Sequence, residues 1–86
     1  MFHQELRGFK LYLQLEKSMS SNTIEAYERD VQKLIDYLIN VENIVTILKV
    51  EEKHISNFIY FINDLGLEEK SQARTISGIR SFFKYL

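Results

Sequence analysis

Four cations, Lys70, Arg74, Arg80 and Lys84, lie in the segment KSQARTISGIRSFFKYL (residues 70–86), and no acid lies among them. Ammonium and guanidinium groups spaced along a helix can hold phosphates, and an arginine fork also matches the O6 and N7 acceptors of guanine. Read at about 100° per residue, Ala73, Ile76, Ile79, Phe82, Phe83 and Leu86 share one side of such a helix. Lys70, Arg74, Ser77 and Ser81 share the other, with Gly78 and Lys84 at its margins. A plainer use of the same cations is to complement the carbonyl end of the helix and solvate it. Charge alone favours that plainer use.

The charge is polarised. Residues 1–40 carry five cations and six acids, residues 41–69 two and six, and residues 70–86 four and none, within a net charge of −1. A slightly acidic chain is a poor indiscriminate polyanion binder, but one basic segment is what a small directional DNA surface requires. Other reactive side chains have structural explanations. Tyr12, Tyr27, Tyr37, Tyr60 and Tyr85 lie in helical segments with no arginine and histidine cluster around them. His3 and His54 are isolated, so no metal site is expected, and Glu51 and Glu52 suit the first turn of a helix. No cofactor or small-molecule ligand is implied, and no catalysis is expected of these residues. Cysteine is absent, which excludes a disulfide framework. The start, MFHQELRG, has no long apolar run behind a basic cap, and no stretch reaches the roughly 20 apolar residues of a membrane span. A cytoplasmic protein without membrane contact is expected.

Apolar periodicity supplies the elements that must position the cations. Phe2, Leu6, Phe9 and Leu13 predict a first helix over 2–17. Ile24, Tyr27, Val31, Leu34, Ile35 and Leu38 predict a second over 21–40, opened by a capping box of Asn22 and Glu25 or by Ser20 or Ser21 as the cap. Its polar face carries Asn22, Glu25, Ala26, Arg29 and Lys33. Asn40 to Val50 includes IVTILKV, rich in β-branched residues, but no second run of that kind exists to pair with it. It reads as a pinned loop with room for one short helical turn. Ile55, Phe58, Ile59, Ile62 and Leu65 predict a third helix over 51–65, ended by Gly66 in the left-handed conformation. The fourth runs over 69–86. Eighty-six residues in four amphipathic helices form one all-α bundle, residues 1–86 as a single domain.

Two segments carry a resemblance. SSNTIEAYERDV (20–31) and SQARTISGIRSFFKYL (71–86), in that order and separation, resemble the N-terminal core-binding domain of tyrosine recombinases and phage integrases, nearest the Xer branch and mobile-element integrases. FKLYLQLEKSMS resembles that family's opening helix, so the likeness covers nearly the whole chain. It implies a SAM-like four-helix bundle that clamps one side of a recombination half-site, with the second and fourth helices facing the major groove. The family's nucleophilic tyrosine and its catalytic partners belong to a separate C-terminal domain, and Leu86 falls about where the interdomain linker would begin. The implied partners are double-stranded DNA and other recombinase protomers in a synapse.

Position by position, the resemblance carries Asn22, Thr23, Ala26 and Arg29 of the second helix and Lys70, Ser71, Arg74 and Gly78 of the fourth onto DNA. Arg74 is expected to meet a base edge, and Lys70 and Ser71 to hold phosphates. Asn22 and Thr23 either hold phosphates or cap their helix. Gly78 allows either close approach to DNA or tight packing on a neighbouring helix. Arg80, beside the apolar arc, is expected to form either an internal ion pair with Asp30 or a DNA contact. The competing function is a helical protein-interaction module that binds no nucleic acid.

Overall fold

Each apolar stripe becomes a helix in the computed structural model, which describes residues 2–86. The helices are α1 (His3–Leu15), α2 (Ser21–Asn40), α3 (Glu52–Asp64) and α4 (Glu69–Tyr85), with a single 3-10 turn at Ile47–Lys49. Among the described residues there is no strand. The β-branched run at 44–50 is a connection in which Ile44 is buried and Leu48 is left 90% exposed. Asn43 enters it with φ 58°, a conformation asparagine tolerates. This lets the Ile44 N–H return to the Leu38 carbonyl at 2.8 Å.

The helix ends have local causes. Ser20 caps α2: its Oγ accepts from the Thr23 N–H at 3.3 Å and donates to Thr23 Oγ1 at 2.9 Å, so the cap is Ser20 and not Asn22. At α3 the Nδ1 of His54 accepts from the Glu51 N–H at 2.8 Å, which gives this histidine a structural use. Gly66 has φ +81° beyond the end of α3, in the left-handed region expected of it.

α2 is the central element and touches each of the other three helices, most extensively α4. It buries Ile24, Val31, Leu34, Ile35 and Leu38 against Phe9 and Leu13 of α1, Phe58 and Ile62 of α3, and Ile79 and Phe82 of α4. Phe9 and Phe82 meet edge-on with centroids 5.2 Å apart, joining α1 to α4. Each such ring, fully buried, contributes about 1.5–3 kcal/mol.

The fourth helix is turned relative to its sequence reading. Its buried residues are Thr75, Gly78, Ile79 and Phe82, whereas Ala73 is exposed and Leu86 is 49% exposed. At 100° per residue the buried arc is rotated by roughly 70° from the one predicted. The reason is packing: small Gly78 and compact Thr75 let α4 lie close to α2, which larger apolar residues would prevent. Leu65, placed in the buried stripe of the third helix, is likewise 62% exposed.

Candidate nucleic-acid interface

The rotation of α4 decides which cation faces inward. Asp30 lies on the buried side of α2 and is 0% exposed. Arg74 covers it: Nε donates to Oδ2 at 2.8 Å and Nη2 donates to Oδ1 at 3.1 Å. A buried carboxylate is tolerable only when paired and hydrogen-bonded, and here both oxygens are engaged. The hydrogen bonds from Arg74, then the Asp30 charge, push the guanidinium pKa further above its ordinary value. The ion pair expected between Arg80 and Asp30 is therefore not formed. Arg80 is exposed, and among the described residues no carboxylate lies within 4.0 Å of it.

The same seam accounts for Gly78. It is buried, and a Cβ built there would lie 3.5 Å from the Tyr27 ring and 3.8 Å from the Asp30 Cβ. Of its two sequence readings, helix packing is what this position does. The backbone at Gly78 faces α2 and is closed to solvent.

The remaining expected residues divide by exposure. Asn22, Arg29 and Lys70 are open to solvent, and Thr23, Ala26 and Ser71 are half-buried. Thr23 belongs to the Ser20 cap, and the Ser71 carbonyl accepts from Thr75 Oγ1 at 2.8 Å. The first turn of α2 contains no acid. Glu68, at the N-cap of α4, makes no side-chain cap, and with Glu69 in the first turn it places negative charge at the N-terminal end of the helix beside Lys70. Gln72 instead ties the turn to the preceding loop, its Nε2 donating to the Leu67 carbonyl at 2.8 Å and to Asn63 Oδ1 at 3.3 Å.

The outward face of α4 carries Glu69, Lys70, Ala73, Ser77, Arg80 and Lys84, all exposed, so three cations stand there against one acid. Its three cations have no carboxylate within 4.0 Å among the described residues. Arg80 and Lys84 thus join Lys70, although the sequence reading gave them lesser roles. The signal that could have promoted them was Asp30 itself. An acid inside an apolar stripe requires a cation, and Arg74, four residues before Gly78, lies on the same side of α4 one turn away.

The family model for the phage integrase N-terminal SAM-like domain matches residues 6–86. The chain belongs to this family. A tyrosine recombinase XerD of Oceanobacillus iheyensis is 30% identical over 86 residues, 100% of this chain and 29% of the relative. That of Listeria monocytogenes serotype 4b is 35% identical over 81 residues, 94% of the chain and 27% of the relative. That of Staphylococcus saprophyticus is 40% identical over 74 residues, 86% of the chain and 25% of the relative. The chain thus spans less than a third of the length of these relatives. No solved structure gave a significant match. The SAM-like, all-α architecture that the two motifs imply is the one found. Among the described residues, no helix is long and apolar enough to cross a membrane, and no group of three or more His, Cys, Asp and Glu could hold a metal ion.

Proposed function

We propose that this SAM-like domain binds double-stranded DNA as the core-binding domain of a tyrosine recombinase, laying α2 and α4 against one side of a recombination half-site. The observation that carries this reading is the outward face of α4, where Lys70, Arg80 and Lys84 are exposed, form no ion pair among the described residues and outnumber the one acid of that face, Glu69. Lys70, Ser71, Arg80 and Lys84 engage phosphates, joined by Asn22, Thr23 and Arg29 from α2. Ala26 leaves room for the duplex, Gly78 keeps the two helices close, and Arg74 meets a base edge or phosphate from the seam. Strand cleavage through a phosphotyrosine linkage would be the work of a separate catalytic domain. Other recombinase protomers are the expected protein partners.

The second reading, a protein-interaction module, has its own support at the C-terminal end of α3, where Tyr60 is 73% and Phe61 39% exposed, with Leu65 just beyond it 62% exposed. Contact with another protomer through that face is compatible with DNA on the other helices. Fluorescence anisotropy of the 86-residue chain with short duplexes across a salt series separates them. The DNA reading expects affinity that falls with salt, by about 0.9 in log–log slope for each phosphate neutralised. Absence of binding at low salt sinks it and leaves the interaction module.

A further inference from the structure

Arg74 has five N–H donors, and the pair with Asp30 uses only the edge formed by Nε and Nη2. The opposite edge, one N–H of Nη1 and the second of Nη2, is not engaged by any protein acceptor among the described residues. The Arg74 side chain is 41% exposed, while Asp30 beneath it is 0% exposed. A flexible arginine must be ordered before it can form a fork. Here the buried carboxylate has already fixed the guanidinium plane, and Gly78 and Tyr27 fix the helix that carries it.

The geometry points to Asp30 as a positioning residue that locks Arg74 edge-on, so that its free edge presents two parallel donors to a two-acceptor group on DNA. That group is either guanine O6/N7 or a phosphodiester. The proposal rests on the DNA-binding reading and deepens it. Its electrostatic consequence is specific: with its charge offset by Asp30, Arg74 adds little to general attraction for the backbone and acts through its paired donors. The three free cations of α4 supply the salt-dependent part.

The test selects from a random-sequence duplex pool with the wild-type chain, Asp30→Asn and Arg74→Lys, with circular dichroism establishing that each is folded. Arg74→Lys keeps the charge and loses the fork; Asp30→Asn keeps the arginine and loses the lock. If the target is guanine, wild type enriches guanine at one position and both variants lose that preference alone. Replacing that base with 7-deazaguanine then weakens wild type about tenfold and the variants little. If the target is phosphate, no base preference changes. Instead, one methylphosphonate substitution weakens wild type and leaves the variants unaffected. Either pattern supports the lock. Folded variants that keep both the wild-type base profile and its phosphate footprint overturn it while the DNA-binding reading stands. A wild-type chain that selects and binds no duplex at low salt overturns both. If Asp30→Asn fails to fold, Asp30→Glu, which keeps the charge but shifts the carboxylate that holds the guanidinium, takes its place: loss of the same base or phosphate preference supports the lock, and an unchanged preference overturns it.

Discussion

Of the polar contacts that hold α2 to its neighbours, the two with a buried partner are built in opposite senses. At the α2–α4 seam the acid, Asp30, is buried and the cation, Arg74, stays partly in water. At the α2–α3 corner the buried partner is the phenol of Tyr37, and the acid, Glu42, is nearer solvent. Tyr37 donates to Glu42 Oε2 at 2.7 Å, and Asn57 Nδ2 donates to the same oxygen at 3.2 Å. Tyr37 also packs on Phe58 and Phe61 with centroids 5.4 and 5.0 Å away. A clamp that buries its acid aims a cation outward, where it can serve a ligand. A clamp that buries its phenol presents no donor to solvent and serves only the fold.

The first way to break this contrast is Arg74→Ala, which leaves the Asp30 carboxylate buried without a partner. Because Arg74 is partly exposed, water can enter, and the expected loss in urea denaturation is about 2–3 kcal/mol, below that for a fully buried pair. The double variant Asp30→Asn/Arg74→Gln removes the stranded charge and should recover most of that loss. A single variant as stable as wild type would mean that Asp30 is not held as described.

The opposite corner should respond less to mutation and more to pH. Tyr37→Phe removes one hydrogen bond and should cost about 1 kcal/mol. Burial, with Glu42 adding to it, pushes the Tyr37 pKa up to about 12 from 10.0. The unfolded phenol therefore ionises first. The stabilisation is full below pH 10 and drains as pH rises toward about 12. Alkaline denaturation of Tyr37→Phe should lack that component. At the acid end, the hydrogen bond from Tyr37, then that from Asn57, lowers the Glu42 pKa from 4.5. Its contribution is present above that value and is lost as pH falls through the lower folded one. Glu42→Gln should flatten this part of the acid transition.

Gly78→Ala sharpens the comparison from the side of the seam. The added methyl would meet Tyr27 at 3.5 Å, an ordinary contact, and helix propensity favours alanine by about 0.8–1 kcal/mol. A small gain in thermal stability is expected. A loss of comparable size would show that the seam has no room for it. Lys70→Ala should leave stability within about 0.5 kcal/mol and instead lower the salt slope of duplex binding by about 1.

Much of this architecture is legible in the sequence because helix boundaries depend on local rules. The four helices were expected over 2–17, 21–40, 51–65 and 69–86, and they occur within two residues of those limits at every end. Gly66 could be assigned because few other residues adopt its conformation cheaply. What local pattern misreads is rotation. Ala73 and Leu86 are apolar but face outward, while Thr75 and Gly78 face inward because the partner helix needs small residues there. Pattern alone turns Arg80 toward Asp30 and Arg74 away from it, the reverse of the packing observed. The histidine cap at α3 was missed for a related reason, since the use of His54 depends on a backbone N–H three residues earlier. The candidate DNA surface was legible as a charge excess and a pair of motifs. The division of its cations into one locked and three free required the packing.

The most direct measurement is a chemical-shift map of the isotope-labelled chain titrated with a short duplex at low salt. The expected perturbations cluster on Asn22, Ala26 and Arg29 of α2 and on Lys70, Arg74, Ser77 and Arg80 of α4, leaving Leu11 of α1 and Tyr60 of α3 unmoved. Perturbations confined to the outer faces of α1 or α3, or none at saturating duplex, would contradict a DNA interface built on α2 and α4.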